Sequence, residues 1–286
     1  MSGDSKGNKE TKKNDVRFAR FFFKIFIFDI IYFEKISKQQ SVVIMFFWVA
    51  MVGFLWVRAS LYSDVKIIPS PKMVINALGA LYMEGLVKEF AISMGLCFKS
   101  TLYALVISLV LAYLSPMPFI RPLAQGISKF RYLPMIGITF YLTQAGIQGR
   151  SLQIAILSMF VTVYFITSLM SMIADIPIEE YDLARTMGCS RWEMLWKVVI
   201  KGRMDYVVEI LRQNLAITWM MFVTVEVLVY SAGGVGIWLK NSERFGAHDK
   251  IFAIQILIFG LGALIDLGLA KLKPALFPYS QTVKSL

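Results

Sequence analysis

The chain has 286 residues, of which 57% are hydrophobic and only 17% are charged, with a formal net charge of +11. Soluble domains have roughly 45–50% apolar and about 25% charged residues, so this composition excludes a soluble enzyme. The mean hydropathy is +0.62, and the apolar residues gather in runs whose lengths come close to that of a membrane-spanning helix, about 20 residues. The cationic side chains cluster at the ends of these runs, which argues against a nucleic-acid partner.

The first 40 residues contain no clear span. Residues 1–20 are mostly polar and rich in lysine, which predicts a disordered, basic cytoplasmic tail. Residues 21–40 include the very apolar run Phe21–Phe33, which carries Lys24 and Asp29 and is too short to cross a bilayer. We interpret this stretch as an interfacial helix, with a buried part of the first span as the alternative.

Six later runs predict transmembrane helices, and residues 42–273 form the predicted membrane domain. The third run carries Pro134, Gly137 and several polar side chains, and the fifth contains Glu226. Such helices need polar partners inside a bundle or a wet cavity rather than lipid. The predicted fold is therefore all-α, a polytopic membrane protein of six helices. The six spans are Val42–Val57, Phe90–Leu114, Leu123–Ile147, Leu152–Ile173, Leu215–Ala232 and Ile251–Ala270.

Lysine and arginine mark one side of this predicted domain. They are abundant in the N-terminal tail, in the segment between spans four and five, and after span six at Lys271 and Lys273. Six crossings place these regions on one side, and the positive-inside rule makes that side the cytoplasm. Both termini, including a tail at residues 274–286, are therefore expected in the cytoplasm, although three cations in the opposite loop argue the other way.

One segment between the spans, residues 175–212, differs from a generic membrane helix. Pro177 followed by two glutamates predicts a helix start, and Gly188 suits the left-handed residue that ends a helix. The run Ser190–Glu193 predicts a capping box that opens a second helix. The apolar residues of that helix predict one stripe at α-helical spacing: Trp192, Leu195, Trp196 and Val199.

This segment resembles the cytoplasmic loop of permeases from binding-protein-dependent ATP-binding-cassette (ABC) importers. Those permeases carry a Glu-Ala-Ala triplet, with a glycine four residues after the second alanine. In this chain Asp182, Leu183 and Ala184 stand for the triplet and Gly188 stands for the glycine, while Lys201 replaces a proline at the end of the motif. In such permeases the loop is the coupling helix that docks on the ATPase.

Further motifs are similar to the nitrate, sulfonate and taurine branch of these importers. Glu226 followed by the glycine-rich run Ser231–Ile237 is one, Ile68–Pro71 followed by a helix is another, and Lys99 matches a basic residue early in span two. The resemblance covers roughly Val42–Lys273, and the motifs occur in the expected order.

The resemblance implies a type I importer permease in the bacterial inner membrane, which forms the pathway for a small anionic solute such as nitrate, a sulfonate, taurine or bicarbonate. It implies no catalytic residue and no cofactor in this chain. ATP and magnesium would be bound by a separate ATPase, since the sequence has no Gly-x4-Gly-Lys-Ser/Thr phosphate loop. The other implied partners are a second permease copy or paralogue, a periplasmic or lipid-anchored solute-binding protein, and membrane lipids.

Six residues are the candidates for contact with the ATPase. For the arginines the alternative is anchoring at the membrane surface, and for the tryptophan it is a place among the lipid headgroups. The candidate docking residues are Asp182, Ala184, Arg185, Gly188, Arg191 and Trp192.

Polar residues of spans three and five are the candidates for the translocation pathway. Hydrogen bonding between helices of one permease is the alternative for the whole set, and a structural ion pair with Lys99 or Lys129 is the alternative for the glutamate. The candidate pathway residues are Thr139, Thr143, Gln144, Thr218 and Glu226.

No metal site is predicted from the sequence. Cys97 and Cys189 lie near no second ligand at metal-binding spacing, and His248 is expected on the surface of a loop. Two rival functions stay open from the sequence: a structural or regulatory subunit that keeps the permease fold, and a secondary transporter, for which an internal repeat or broken helices are typical.

Overall fold

The structure, a computed structural model, describes residues 38–62 and 67–277. The chain separates into two units, Met1–Asp64 and Val65–Leu286. In the first unit the described residues form one helix, α1 (Lys38–Tyr62), which contains the first predicted span. The predicted tail at 1–20 and nearly all of the predicted interfacial helix at 21–40 lie outside the described residues.

The second unit is built from helices joined by short turns, and neither described range contains a strand, which confirms the all-α fold. Its α-helices are α2 (Pro71–Met83), α3 (Leu86–Leu114), α4 (Arg121–Ser128), α5 (Met135–Gln144), α6 (Gly149–Ala174), α7 (Ile178–Thr186), α8 (Arg191–Met194), α9 (Met204–Leu228), α10 (Val235–Arg244) and α11 (His248–Leu276). Short 3-10 helices occupy Lys129–Tyr132, Lys201–Arg203 and Tyr230–Ala232, and a π-helix occupies Leu195–Ile200.

Four described helices are long and apolar enough to cross a membrane: Gln39–Leu61 within α1, and all of α3, α6 and α11. Helix α9 has 25 residues but includes four charged side chains, at Asp205, Glu209, Arg212 and Glu226. The multi-pass architecture follows from these helices, and the count of six crossings stays a prediction. The last helix extends to Leu276, three residues beyond the end predicted for the membrane domain, and that boundary stays a prediction.

The third predicted span, Leu123–Ile147, is not one helix. Helix α4 ends at Ser128, a 3-10 turn follows, and Leu133 adopts the extended angles φ −78° and ψ 136° before α5 begins at Met135. The cause is Pro134, because a proline ring disfavours helical angles in the residue before it. Both helices and the turn between them pack on α6.

Small residues let α3 and α6 pack closely along their length. Ser100, Ala104, Ser108 and Ala112 follow one another at four-residue spacing on α3, and all four are fully buried. Helices in membranes associate through such small residues because their backbones can then approach each other. Helix α9 packs on α6 and also contacts α3, and its residues Phe222 and Val225 are fully buried.

Contacts between distant residues show which helix ends lie together. Lys250 at the start of α11 pairs with Glu84 just after α2, at 2.7 Å. At the opposite end of α11, Asp266 pairs with Arg212 near the start of α9, also at 2.7 Å. The unit therefore has two ends. Helices α3, α6 and α11 begin at one, which we call the glycine-loop end after residues 229–236, and residues 175–203 lie at the other, the coupling end. This alternation agrees with the order of spans predicted from the sequence.

Candidate functional site

The first helix of residues 175–203, the coupling segment, ends in a Schellman motif. Helix α7 begins after Pro177 and carries Glu179 and Glu180 in its first turn, next to the positive end of the helix dipole. At its other end the Gly188 amide donates to the Arg185 carbonyl at 2.9 Å, and the Cys189 amide donates to the Ala184 carbonyl at 3.0 Å. Gly188 has φ +75°, which confirms the predicted left-handed bend.

A complete capping box opens the next helix, as predicted. The Glu193 amide donates to Ser190 Oγ at 3.3 Å, and the Ser190 amide donates to Glu193 Oε2 at 2.8 Å. The backbone hydrogen bond from Ser190, the Ser190 side chain and the nearby Lys197 together lower the pKa of Glu193 below its ordinary value. The bend between the two helices is therefore held by local hydrogen bonds on both sides.

The second helix departs from the predicted α-helical stripe. Only Arg191–Met194 is α-helical, and Leu195–Ile200 continues as a π-helix. A π-helix has wider turns, so the residues that share a face shift along the chain. Val199 is buried in the protein, whereas Ile200 lines a groove together with the tryptophans.

Only a change of backbone angles at Arg203, to φ −121° and ψ 15°, separates this helix from α9. Lys201, which stands where the resemblance expects a proline, lies in a 3-10 turn with Gly202 and Arg203. Helical structure of changing type therefore runs from Arg191 to Leu228. A lysine has the backbone donor that a proline lacks, which permits this continuity.

Ion pairs attach the coupling segment to the long helices. Arg203 Nη2 contacts Glu180 Oε1 at 2.6 Å, which joins α7 to the start of α9. Arg212 forms a two-pronged pair with Asp266 of α11, with N–O distances of 2.7 and 3.2 Å. A bidentate pair fixes direction as well as distance, so α9 and α11 are joined firmly at this end.

The six candidate docking residues divide into exposed and structural ones. Asp182 and Arg185 form an exposed pair at 3.0 Å, and Arg191 and Trp192 are also exposed. Ala184 is buried and accepts the Schellman hydrogen bond, so it shapes the helix end instead of offering a contact surface. The segment can therefore present a rigid bend with charged and aromatic side chains to a partner.

The glycine-rich run after α9, residues 229–236, forms a second organised region, the glycine loop. Its amides donate to side chains of α3: Gly234 N to Glu89 Oε2 at 2.9 Å, and Val235 N to Ser93 Oγ at 3.0 Å. Its carbonyls accept from α6: Arg150 Nη2 donates to Ala232 O at 2.7 Å. The loop is thus tied to two helices that are distant in the sequence.

Glu226 lies at the centre of this region and is fully buried. Its carboxylate accepts hydrogen bonds from Ser93 Oγ at 2.6 Å and from the Gly236 amide at 2.8 Å, and Arg150 Nη1 lies 4.0 Å away. The glycines leave room for the carboxyl group, because a Cβ atom at Gly234 would overlap it. The alternative partners proposed from the sequence, Lys99 and Lys129, are both exposed, and Arg150 takes their place.

Four residues of this region were not identified from the sequence: Glu89, Ser93, Arg150 and Gln153. Gln153 is buried and accepts from Arg150 Nη1 at 2.6 Å while it donates to Val229 O at 3.2 Å. Two spacings carry a usable signal. Glu89 and Ser93 are four residues apart at the start of one helix, and Arg150 and Gln153 are three apart at the start of another, so each pair shares a face.

The candidate pathway residues do not share one surface. Thr143 and Gln144 are exposed on α5 and Thr139 is half-buried, whereas Thr218 and Glu226 are fully buried within the chain. Thr139 and Thr143 donate to carbonyls of their own helix, at 2.9 and 2.8 Å. Within the described ranges no hydrogen bond joins either hydroxyl to another helix.

No catalytic or metal-binding constellation occurs in the part of the chain that the structure describes. Groups of three or more His, Cys, Asp or Glu side chains able to hold a metal ion are absent there. Cys97 and Cys189 are both free thiols; Cys97 is buried as predicted, whereas Cys189 is only partly buried.

Comparison with known proteins gives a consistent result. Residues 104–277 match the family described as "Binding-protein-dependent transport system inner membrane component". The taurine transport system permease protein TauC of Escherichia coli (strain K12) is 25% identical over 162 residues, which cover 57% of this chain and 56% of that protein. The bicarbonate transport system permease protein CmpB of Synechococcus elongatus is 23% identical over 94 residues, 33% of this chain and 34% of that protein.

These alignments span little more than half of the taurine permease and about a third of the bicarbonate permease. Among solved structures, the MetNI methionine ABC transporter in an inward-facing conformation aligns with a TM-score of 0.54. The alignment has 19% sequence identity and covers 66% of this chain and 95% of that chain. At this identity the likeness shows a shared fold.

Proposed function

The chain belongs to the family of binding-protein-dependent inner-membrane transport components and is an ABC importer permease of the nitrate, sulfonate and taurine type, and from this premise we propose that its coupling segment docks on the ATPase subunit. The observation that carries the proposal is the doubly capped bend at Gly188. A segment that transmits rigid-body motion must be stiff and attached to the moving helices. The Schellman motif and the capping box supply the stiffness, and the pair of Arg203 with Glu180 supplies the attachment.

Within this segment the contact surface consists of Asp182, Arg185 and Arg191, while Ala184 and Gly188 set its shape. Trp192 is exposed but lines an apolar groove with the end of α3. ATP and magnesium are bound by the ATPase partner. When the ATPase subunits close on ATP, the coupling segments of two permeases approach each other, and helix α9 moves with its own segment because Arg203 at its start pairs with Glu180 of α7. The pathway then changes from inward-open to outward-open.

The proposed solute is a small anion of the sulfonate or bicarbonate class. The support is the solute of two relatives, the taurine and bicarbonate permeases. A periplasmic or lipid-anchored solute-binding protein would deliver the solute to the glycine-loop end, and a second permease copy or a paralogue would complete the pathway.

The proposed pathway wall is helix α5, with Thr139, Thr143 and Gln144 toward the solute. The support is the exposure of its polar side chains on a short helix that follows a proline break. Thr218 and Glu226 are fully buried, so in this proposal they do not contact the solute but support α9 and the glycine loop. The variant Thr139→Val/Gln144→Leu should lower solute uptake at unchanged thermal stability; unchanged uptake would remove α5 from the pathway.

The coupling end is proposed to lie in the cytoplasm, together with both termini. Cys189 is a native, half-buried thiol of that end and provides the test. A membrane-impermeant thiol reagent added to intact cells should leave Cys189 unlabelled and should label a cysteine introduced at Asn241 in α10. Labelling of Cys189 in intact cells would reverse the orientation.

The docking proposal is tested by the change Gly188→Val. A β-branched residue at φ +75° costs about 1–2 kcal/mol, so the bend should distort. We expect weaker co-purification of the cognate ATPase subunit and lower solute-stimulated ATP hydrolysis. Gly188→Asn should retain most of the association, because asparagine tolerates the left-handed conformation.

Gly146→Val is the matched control for this experiment. Gly146 has φ +85° and equally open surroundings, but it lies at the glycine-loop end, between α5 and α6. The control should show the same backbone strain with normal ATPase binding. Equal co-purification of the ATPase by wild type and Gly188→Val would contradict the docking assignment, as would equal losses in the two valine variants.

A further inference from the structure

An apolar groove of about 580 Å³ lies between the last turns of α3 and the coupling segment. We call it the interfacial groove. Val110 and Leu114 line the α3 side, and Trp192, Trp196 and Ile200 line the other side. The two indole rings are 67% and 55% exposed, so the side chains that form this groove leave it open.

The position of the groove points to the membrane interface. Helix α3 is one of the helices apolar enough to span a bilayer, and Leu114 is its last residue. Val110 is 54% exposed and lies about 6 Å further into that span, at 1.5 Å of rise per residue. An exposed apolar side chain near the end of such a span can contact a lipid acyl chain. Tryptophans with one apolar face and one polar N–H are typical of this boundary.

Cationic side chains stand at the mouth of the groove. Lys197 lines it, and Lys201 Nζ lies 6.0 Å from the centre of the Trp196 ring. Lys197 Nζ forms an ion pair with Glu193 Oε1 at 3.9 Å. Among the described residues, no carboxylate lies within ion-pair distance of Lys201 or of Arg191. The mouth therefore carries uncompensated positive charge beside an apolar channel.

We infer that the interfacial groove binds an anionic phospholipid, with one acyl chain between α3 and the tryptophans and the phosphate group at Lys201. The inference rests on the proposed function to the extent that it places the coupling segment at the cytoplasmic face. Anionic lipids of that leaflet attract juxtamembrane lysine and arginine. A lipid bound here contacts the same helix that docks on the ATPase, so it links membrane composition to coupling.

The test uses the full-length chain alone, reconstituted in phosphatidylcholine nanodiscs that contain either brominated phosphatidylglycerol or brominated phosphatidylcholine. Bromine atoms on the acyl chains quench tryptophan fluorescence on contact. The chain has six tryptophans, so the contribution of the groove is taken as the difference between wild type and Trp192→Phe/Trp196→Phe. We expect the groove tryptophans to be quenched at lower fractions of brominated phosphatidylglycerol than of brominated phosphatidylcholine.

Two variants separate the headgroup from the acyl chain. Lys201→Gln should reduce the preference for phosphatidylglycerol about fivefold, the effect of one lysine near an anionic surface. Lys271→Gln, an exposed lysine on α11 of the same end, is the matched control and should leave the preference unchanged. Val110→Phe should fill the groove and reduce quenching by both lipids; its position is exposed, so the fold should be kept.

Equal quenching of the wild-type groove by the two lipids would overturn the inference, and so would an unchanged preference in Lys201→Gln. If Lys201→Gln instead abolished ATPase binding while lipid quenching stayed the same, the groove would belong to the ATPase interface. That result would refute the lipid site and leave the proposed function standing. Conversely, normal ATPase binding by Gly188→Val would refute the docking proposal without affecting the quenching data, which are measured without the ATPase.

Discussion

The two ends of the second unit hold their key segments in different ways. At the glycine-loop end, Glu226 is fully buried and bonds to Ser93, which is 133 residues away in the sequence. At the coupling end, the defining contacts join residues three to five positions apart, as in the Schellman motif and the capping box. One end is locked by tertiary structure, and the other is shaped by local sequence.

The difference in side-chain burial between the two ends shows which end belongs to the core of the chain. A buried carboxylate must keep all its partners, because an orphaned charge or amide in an apolar environment is costly. The exposed pair of Asp182 with Arg185 contributes little to stability, since exposed ion pairs are typically worth about 0–1 kcal/mol. We therefore expect variants at the glycine-loop end to impair folding and variants at the coupling end to impair association.

The largest effect is expected for Gly234→Ala. The added Cβ atom would overlap the Glu226 carboxyl group, and φ +120° is a conformation that residues with side chains rarely adopt. We expect loss of most monodisperse protein after detergent extraction and a lower thermal unfolding midpoint. Gly246→Ala is the control, because Gly246 also has positive φ but has open surroundings. Similar behaviour of the two variants would show that the glycine loop is not tightly packed.

The next effect is expected for Glu226→Ala. This change leaves the Gly236 amide and Ser93 hydroxyl without their acceptor and removes the counter-charge near Arg150. We expect a destabilisation of about 3 kcal/mol, in the range for breaking a buried polar pair. The control is Glu243→Ala, which removes an exposed pair with Lys240 and should change stability by about 0.5 kcal/mol or less. Equal unfolding midpoints for the two variants would contradict the comparison of the two ends.

A smaller effect on stability is expected for Asp182→Asn at the coupling end. The carboxylate is exposed and its ion pair with Arg185 is local, so the free energy of unfolding should change by about 0.5 kcal/mol or less. Co-purification of the ATPase should nevertheless weaken, because the side chain belongs to the proposed contact surface. A large drop in the unfolding midpoint with normal ATPase binding would assign Asp182 a structural role.

The smallest effect is a pH dependence at the capping box. The pKa of Glu193 is lower in the folded chain, so its stabilisation is present above the ordinary glutamate range and is lost as the pH falls through the lowered value. Amide hydrogen exchange around Ser190 and Glu193, corrected for its intrinsic pH dependence, should accelerate in that window. Glu193→Gln keeps a capping acceptor and should remove the acceleration. Its persistence in this variant would mean that another group titrates.

The all-α fold, four of the membrane helices and the capped bend of the coupling segment follow from the sequence alone. Apolar runs of span length and the residues around Gly188 and Ser190 act over a few positions, so their consequences can be predicted locally. The break at Pro134 was also present in the sequence. It was missed because an apolar run does not show whether its proline lies inside a helix or between two.

The partners of Glu226 and the residues that surround Trp192 and Trp196 depend on the tertiary structure. The sequence suggested Lys99 or Lys129 as a partner of Glu226, yet Arg150 pairs with it because α6 begins beside the glycine loop. Ile200 lies four residues after Trp196 and lines the interfacial groove with it, whereas Val199 is buried, and only the packing on α3 shows which of the two neighbours faces the groove. Long-range pairing depends on which helix ends meet in three dimensions, and the spacing of residues along one chain does not contain that information.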